Sequence, residues 1–567
     1  MNSHQAHRRP HLLAWVIVCT VFYAGRASGD TSLADKPRIL RWTDASNVER
    51  MDCDVIVVGG STAALAAALT AAREGHSTCL TEPTEWPGGQ LTAGGVPAVD
   101  YAWHKRLSWD VGAIGKNPRN LPEELLNWMQ AVASPGSCWV SQHCFEPRKL
   151  LRLKIEPAVS HEPKLKLLRT TVVKELVLRT SPQGERILGL LAIERQPREG
   201  REEEIRGLRL SQVIRDWYSP LDSPLFRKKL LYLTSSHSDG PIVIDASEFG
   251  EVLALSDAAY TQGVEQDEGD PSSTREECGQ AFTYGFVLEL RPGPEPAMIP
   301  DLPVDHPLFY DLHDFTWERV WTYRRLHGKG HPAVGDLSLQ NWNPGNDWPF
   351  SPMLLPRAAT AETRIDWEGG VDIQTLDAAE RHAYGWARWY LAHAPAPFAG
   401  RIRLNRSTLG TGHGLSRFPY VRDTRRSIGL DGFRLTLGDL SGPETARTGQ
   451  RFMDRIAIGT YNADIHGMEG CDYPPYDSLT LPFYIPLRAL TNATVVNLLL
   501  AGKTMAQTFL ANAATRLHPI EFASGIGAGA AASVMVRQEL AQTRDLLPFA
   551  EDVQKIVIRY APIDFEL

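Results

Sequence analysis

The sequence predicts an α/β fold in which helices cover a parallel sheet. An apolar, β-branched run at Val55–Val58 is followed by a glycine turn and by the alanine-rich stretch Ala63–Ala72, as when a buried parallel strand leads into a helix. A further strand is predicted at Ser77–Thr81, which completes a strand–helix–strand unit of about 30 residues. A chain of 567 residues is too long for one compact core, so we expect a second domain.

The composition is that of a globular protein without a nucleic-acid partner. Hydrophobic residues make up 43% and charged residues 22% of the chain, which is ordinary for folded domains. The formal net charge is −8, and the sequence has no sustained Lys/Arg run that could bind a phosphate backbone. No Cys-x-x-Cys pair occurs, so a zinc or dithiol centre has no support and we predict no metal site.

The first 29 residues have the layout of a secretory signal peptide. The basic stretch His7–Arg9 precedes an apolar run at Leu12–Ala24, and the small residues Ala27–Gly29 follow. The apolar run is shorter than the roughly 20 residues that cross a membrane comfortably. We therefore predict a signal peptide at residues 1–29 and a secreted or extracytoplasmic protein. An uncleaved N-terminal anchor is the alternative, and no further membrane span is predicted.

Four of the six cysteines outside this segment fall into two predicted groups. Cys138 and Cys144 are close enough in sequence to form a disulfide in an oxidising compartment. Cys53 and Cys79 fall on or beside neighbouring strands, where we expect small buried thiols.

The turn after the first strand departs from the G-x-G-x-x-G pattern of dinucleotide-binding sites. Gly59 supplies the tight turn, but Ser61 and Ala64 replace the second and third glycines. A serine is small enough for the backbone to approach a pyrophosphate, and an alanine still lets the helix pack closely on the strand. Glu82 follows Gly59 by 23 residues, near the spacing of about 20 for a carboxylate that binds the adenosine ribose. The alternative is a Rossmann-like unit that binds nothing.

Four further stretches follow in order along the chain: "EPTEWPGGQLTAGGVPAVD" from Glu82, "GPIVIDASEFGE" from Gly240, "FPYVRDTRRSIG" from Phe418 and "NLLLAGKTMAQTFLANAATRLHPIEFASGIGAGAAAS" from Asn497. The turn "GGSTAA" at Gly59–Ala64 is similar to a G-G-T-P-A-G turn. Together these stretches resemble the FAD-dependent oxidoreductase family, which has a glutathione-reductase-like FAD-binding fold. The resemblance spans residues 52 to 540, with gaps.

The resemblance implies a bound FAD. Its pyrophosphate would lie on the glycine turn and the helix N-terminus, and the second glycine pair and the glutamine after it would approach the flavin. The cofactor-binding residues implied are Gly59, Gly60, Ser61, Thr62, Ala63, Glu82, Gly88, Gly89, Gln90, Val173, Asp245, Ala246, Gly502, Gly525 and Gly529.

The predicted organisation is a discontinuous Rossmann-like domain that carries an insert. The stretches "TVVKELVLR", "RILGLLAIER" and "LRLSQVIRDW" predict a three-stranded β-meander, and a closing helix is predicted to begin near Gly525. We place the FAD-binding domain at residues 52–256 and 484–542. An inserted α+β substrate domain occupies residues 257–483, and residues 543–567 form a C-terminal extension.

Few protein groups are needed for the chemistry, because the flavin carries the redox step and the protein supplies a base for the accompanying proton. His466, in "DIHGMEG", has Asp464 nearby, and His518, in "RLHPIEF", directly precedes the predicted closing helix. Both are candidate bases. Arg422 is a candidate to anchor a carboxylate or polarise the flavin. For Arg422 and the pair Arg425–Arg426, the alternative is an internal salt-bridge network.

We therefore predict a secreted FAD-dependent oxidoreductase that transfers a hydride from an alcohol or amine carbon of a small-molecule substrate to the flavin. The sequence has no second dinucleotide-binding unit, so oxygen, a quinone or a protein is expected to accept the electrons. Two alternatives stay open. One is a redox-neutral flavin-dependent lyase or isomerase, and the other is a non-catalytic Rossmann-like binding protein that has lost the cofactor.

Overall fold

The computed structural model describes residues 48–99, 122–133, 137–141, 144–442, 446, 448–473 and 480–561. The predicted signal peptide lies outside these residues. The strands are β1 Val48–Asp52, β2 Val55–Val58, β3 Thr78–Thr81, β4 Leu165–Leu168, β5 Thr171–Ser181, β6 Gly184–Pro197, β7 Phe226–Thr234, β8 Ile242–Asp245, β9 Tyr260–Thr261, β10 Val264–Glu265, β11 Thr274–Arg275, β12 Phe282–Thr283, β13 Phe286–Leu290, β14 Arg325–His327, β15 Leu337–Gln340, β16 Asp347–Trp348, β17 Ile402–Asn405, β18 Arg426–Ser427, β19 Arg455–Gly459, β20 Phe483–Pro486 and β21 Leu498–Leu500.

The α-helices are α1 Thr62–Arg73, α2 Glu123–Val132, α3 Pro147–Leu150, α4 Glu156–Ser160, α5 Glu202–Gly207, α6 Leu210–Tyr218, α7 Glu251–Leu255, α8 Trp317–Trp321, α9 Arg357–Thr363, α10 Ile373–Ala392, α11 Leu437–Ser441, α12 Phe509–Thr515, α13 His518–Arg537 and α14 Ala550–Tyr560.

A five-stranded parallel sheet forms the base of the fold, with strand order β21-β8-β2-β3-β4. All residues of β2, β3, β8 and β21 are buried, as expected of parallel strands covered on both faces. The sheet unites strands from the two ends of the chain, so the segment between β8 and β21 is an insert. The α/β fold with a Rossmann-like parallel sheet is confirmed.

The β-meander exists, but its third strand differs from the prediction. Strands β5, β6 and β7 pair antiparallel in sequence, and β1 adds to β7 in parallel. The stretch "LRLSQVIRDW", predicted as a strand, is instead helix α6. Its buried residues are Leu210, Val213, Ile214 and Tyr218, a spacing of three to four that presents one apolar face of a helix.

The insert combines a mixed set of short strands with helices. Strands β14, β15, β13 and β17 form an antiparallel sheet in that order, and the 20-residue helix α10 is its longest element. Strands β19 and β20 pair antiparallel. Because β20 is Phe483–Pro486, this strand spans the boundary predicted after residue 483. The predicted domain limits stay predictions.

Helices α1 and α13 pack with their backbones in contact. A Cβ atom on Gly525 would lie 2.2 Å from the carbonyl oxygen of Ala63, and one on Gly529 would lie 2.4 Å from that of Ala67. The prediction that the closing helix begins near Gly525 is wrong, because α13 begins at His518. Among the described residues, α13 is the one helix long and apolar enough to cross a membrane, and 94% of that stretch is buried inside the protein.

Three disulfides join described cysteines: Cys53–Cys79, Cys138–Cys144 and Cys278–Cys471, with Cα–Cα distances of 5.9, 6.2 and 5.9 Å. The second pair is the predicted one. The expectation of two free buried thiols in the first pair is wrong, because β2 and β3 are neighbours and bring the ends of these strands together. The third pair was not predicted, since 193 residues separate its cysteines.

Replacement of Gly525 by valine is expected to destabilise the protein. The new side chain would displace the backbone of α1, and overpacking of this kind costs about 1–3 kcal/mol. Urea denaturation should therefore show a lower midpoint. Gly207→Ala is the matched control, because a Cβ there meets nothing within 4 Å, and it should change stability by less than about 0.5 kcal/mol. A wild-type midpoint for Gly525→Val would contradict the packing described.

Candidate functional site

The turn between β2 and α1 requires glycine at its first position. Gly59 has φ of +95°, and a Cβ there would lie 2.4 Å from the Cα of Ser247. Ser61 caps α1, because its hydroxyl accepts a hydrogen bond from the Ala64 amide at 3.0 Å. The serine that replaces the second glycine of the motif therefore stabilises the helix N-terminus.

A second glycine pair packs on this turn. Gly88 and Gly89 have φ of +115° and +54°. The Gly88 amide donates to the carbonyl of Gly60 at 2.9 Å, and the Thr62 hydroxyl donates to the carbonyl of Gly88 at 2.9 Å. A Cβ on Gly89 would lie 2.6 Å from the Cα of Ser61. The two loops thus meet backbone to backbone.

Glu82 is buried at the tip of β3, with its carboxylate against the turn. Its Oε1 accepts hydrogen bonds from the Thr84 amide at 2.7 Å and the Thr84 hydroxyl at 2.6 Å. Its Oε2 has no hydrogen-bond partner among the described residues, and a Cβ on Gly60 would lie 1.5 Å from it. Burial raises the pKa of this carboxyl to about 8. A buried acceptor without a partner is costly, so Glu82 is suited to a ligand hydroxyl.

Two cavities share Thr84 in their walls. The first has a volume of about 440 Å³, and its walls include Gly59, Gly60, Glu82, Gly89, Glu248 and Phe418. The second has a volume of about 620 Å³, and its walls include Arg195, Trp217, His413 and Arg417. Because Thr84 belongs to both walls, the two cavities lie next to each other, and Glu82 lines the first of them.

Eleven of the fifteen predicted cofactor residues line neither cavity, and six of these eleven lie outside the stretches Gly59–Ala63 and Gly88–Gln90. Val173 is in the core below the sheet, and the Asp245 carboxylate accepts from Ser247 and from the amides that begin α7. The other four are Ala246, Gly502, Gly525 and Gly529. The last two lie on α13 and let its backbone approach that of α1, which is a packing role of small residues on a helix. Cofactor contact by these six residues stays a prediction.

A buried charge cluster, formed by Lys503, Glu248 and Glu521, flanks the first cavity. Lys503 Nζ lies 2.9 Å from Glu248 Oε2 and 2.5 Å from Glu521 Oε1. Gln90, a predicted cofactor residue, donates from Nε2 to Glu521 Oε2 at 2.8 Å. Burial raises the pKa of Glu248, although the charge of Lys503 opposes this. This cluster was not predicted from the sequence, because Glu248 and Lys503 lie 255 residues apart in the chain.

His466 lies between two carboxylates. Its Nδ1 is 2.5 Å from Asp347 Oδ2, and its Nε2 is 3.4 Å from Asp464 Oδ2. Its side chain is 24% exposed. The sequence suggested Asp464 as a neighbour, but not Asp347, which lies 119 residues away.

Arg422 contacts the same aspartate from the other side. Its Nη2 lies 3.0 Å from Asp347 Oδ1, and its Nη1 donates to the carbonyl of Ala281 at 2.7 Å and to the hydroxyl of Thr283 at 2.9 Å. The guanidinium is buried. These contacts correspond to the predicted alternative of an internal salt-bridge network, and a direct role for Arg422 in catalysis stays a prediction.

Arg516 and Tyr420 extend this network and were missed from the sequence. Arg516 Nη2 lies 3.0 Å from Asp464 Oδ2, and its Nη1 donates to the Tyr420 hydroxyl at 2.5 Å. The Arg516 carbonyl accepts from Gln90 Nε2 at 3.0 Å. The residues around His466 are therefore connected to the loop of the second glycine pair.

His518 is the first residue of α13 and is fully buried. Burial lowers the pKa of its imidazole to about 3. Neither ring nitrogen has a hydrogen bond of normal geometry within the described part of the chain. Of the two predicted bases, only His466 is brought together with carboxylates.

A family model for FAD dependent oxidoreductases matches residues 54–206 and 233–557. These segments make up most of the chain, so the chain belongs to the FAD dependent oxidoreductase family. The predicted enzyme class and the predicted cofactor, FAD, are confirmed. Comparison with curated proteins found no match.

Solved structures similar to this chain include three from microorganisms. THI4 from Thermovibrio ammonificans is 14% identical over 38% of this chain and 66% of that chain, with a TM-score of 0.23. L-proline dehydrogenase from P. horikoshii is 12% identical over 38% of this chain and 24% of that chain, with a TM-score of 0.17. A geranylgeranyl bacteriochlorophyll reductase-like protein from Thermoplasma acidophilum is 9% identical over 91% of this chain and 85% of that chain, with a TM-score of 0.32. The chain spans less than two thirds of the length of the first two.

The residues present fit FAD. Glu82 offers a buried oxygen to a ribose hydroxyl. The cavity lined by Gly59, Gly60 and Gly89 lies beside the N-terminus of α1, where N–H groups favour a pyrophosphate. When bound, FAD supplies the isoalloxazine ring that accepts the electrons.

Replacement of Glu82 by alanine is expected to weaken FAD binding by about 5- to 150-fold, because a buried ribose hydroxyl left without its partner costs about 1–3 kcal/mol. Titration of the apoprotein with FAD, followed by flavin fluorescence, measures the change. The exposed Glu199 provides the matched control, and Glu199→Ala should bind FAD as the wild type does. Equal affinity for Glu82→Ala and the control would refute the ribose assignment.

Proposed function

We propose that the chain oxidises an alcohol or amine carbon of a small molecule by hydride transfer to its flavin, with His466 as the base that takes up the substrate proton. The observation that carries the proposal is the position of His466 between Asp347 and Asp464. Membership of the FAD dependent oxidoreductase family supports the redox character of the reaction.

The contact with Asp347 selects the protonation pattern of the imidazole. A neutral ring that donates Nδ1–H to Asp347 Oδ2 at 2.5 Å keeps its lone pair on Nε2. This nitrogen can then accept a proton from a substrate hydroxyl or ammonium group. Because the His466 side chain is 24% exposed, the proton can pass on to water after the step.

The surrounding charges stabilise the imidazolium that forms. Burial would raise the pKa of Asp347, but the positive charge of Arg422 and the hydrogen bonds from His466 and Thr283 hold it well below its usual range. Asp347 therefore stays ionised at neutral pH. Asp464 Oδ2 lies 3.4 Å from Nε2 and adds a second negative charge beside the newly protonated nitrogen.

The first test is anaerobic mixing of the purified holoprotein with a panel of small alcohols and amines, followed by absorbance of the flavin. Bleaching by one class would support the proposal and name that class. Turnover of a panel member without any bleaching would instead favour the redox-neutral lyase or isomerase.

With a bleaching substrate in hand, His466→Ala is expected to slow flavin reduction by about 10²–10⁴-fold, the usual contribution of a positioned base. Stopped-flow absorbance measures the rate, and the flavin content should stay at the wild-type value. His161→Ala is the matched control, because His161 is exposed and distant in sequence from the site. A reduction rate within twofold of the control would exclude His466 as the base.

We also propose that the mature protein works in an oxidising, extracytoplasmic compartment. Three disulfides support this, because such bonds persist outside the reducing cytosol, and the sequence of residues 1–29 supports it as well. N-terminal sequencing of the protein secreted by its natural host is expected to begin at or close to Asp30. Recovery of an uncleaved chain from the membrane fraction would favour the anchor instead.

A further inference from the structure

The loop that carries His466 has little regular structure of its own. Residues 460–468 belong to no helix or strand, and a short turn follows at residues 469–470. A loop without a backbone ladder is among the more easily opened parts of a fold. The 2.5 Å contact between His466 and Asp347 therefore depends on whatever fixes this loop against the rest of the insert.

The Cys278–Cys471 disulfide ties the end of this loop to the segment before β12. The bond joins cysteines 193 residues apart, with a Cα–Cα distance of 5.9 Å. Cys278 is 2% exposed. The cross-link thus connects the loop, five residues after the histidine, to a buried part of the insert.

Hydrogen bonds at the same junction show that the two segments lie side by side. The amide of Ala281 donates to the carbonyl of His466 at 2.8 Å. The hydroxyl of Tyr473 donates to the carbonyl of Gly279 at 3.0 Å. Strand β12, which begins at the next residue after Ala281, pairs with the strand that contains Asp347. The disulfide is therefore connected, through a few residues, to both His466 and Asp347.

We propose that the Cys278–Cys471 disulfide is a positioning pair that aligns His466 with Asp347, although neither sulfur touches the substrate. A cross-link removes conformational freedom from the loop it closes, and a shift of about 1 Å in a base can cost about 100-fold in rate. The inference rests on the proposed function, in which His466 is the base.

The test compares four full-length, FAD-loaded proteins: wild type, Cys278→Ser/Cys471→Ser, His466→Ala, and the combination of all three substitutions. Flavin reduction is measured by anaerobic stopped flow with the substrate that bleaches the wild type. Removal of the disulfide is expected to slow reduction at least 10-fold when His466 is present, and less than twofold when it is alanine. Such non-additivity is the sign of residues that act as a unit.

Cys53→Ser/Cys79→Ser is the matched control, because that disulfide joins β3 to the residues just before β2 and not to the insert. It is expected to lower thermal stability and to leave the rate and its pH profile unchanged. The Cys278→Ser/Cys471→Ser protein should retain its flavin but show a displaced pH profile. An equal loss of rate with and without His466, or no loss at all, would overturn the positioning role.

Two further outcomes are distinguishable. If His466→Ala alone reduces its flavin at the wild-type rate, the base assignment in the proposed function fails, and the positioning role fails with it. If Cys278→Ser/Cys471→Ser does not fold, wild type and His466→Ala are compared before and after reduction with dithiothreitol and alkylation, with the modified cysteines identified by mass spectrometry. A loss of rate of at least 10-fold in wild type and of less than twofold in His466→Ala would then support the positioning role, and any other result would contradict it.

Discussion

The contact between α1 and α13 is the constraint on which the rest of the structure depends. Backbone meets backbone there, because Gly525 and Gly529 offer no Cβ to the carbonyls of Ala63 and Ala67. The contact joins the first helix of the chain to one that follows more than 400 residues later, and it fixes β21 beside β8 in the sheet. Any larger residue at either glycine would separate the two helices and move the start of α13 away from the glycine turn.

Buried arginines set the position of the insert on this base. Arg425 donates to the carbonyls of Phe249 at 2.6 Å and Gly370 at 2.9 Å. Its neighbour Arg426 lies 3.2 Å from Glu265. A buried guanidinium that loses its acceptors costs about 3–5 kcal/mol, so alternative placements of the insert are strongly disfavoured. The same stretch of chain carries Arg422 to Asp347, and in this way the packing of the insert and the orientation of His466 have a common origin.

The sequence predicted those features whose signals are local. The apolar run of β2, the glycine turn and the alanine-rich α1 need only adjacent residues to be recognised. The segment at Leu210–Tyr218 was assigned to a strand although its apolar residues follow a helical period, which the structure confirms. The second carboxylate beside His466, that of Asp347, could not be predicted, because 119 residues separate the two and only the folded insert brings them together. Arg516, Lys503 and the third disulfide were not predicted for the same reason, because the groups that they contact lie far away in the sequence.

In the altered glycine motif, the position that tolerates only glycine lies in the second loop, at Gly89, and not at Ser61 in the turn. In the usual motif, the second glycine lets a backbone and a pyrophosphate approach each other. Here Ser61 uses its hydroxyl to cap α1, and its Cα lies where a Cβ on Gly89 would be only 2.6 Å away. The demand for a residue without a side chain therefore falls on Gly89, which also adopts a positive φ that favours glycine. The motif looks degraded when one loop is considered alone, whereas glycines from both loops, Gly59, Gly60 and Gly89, line the first cavity.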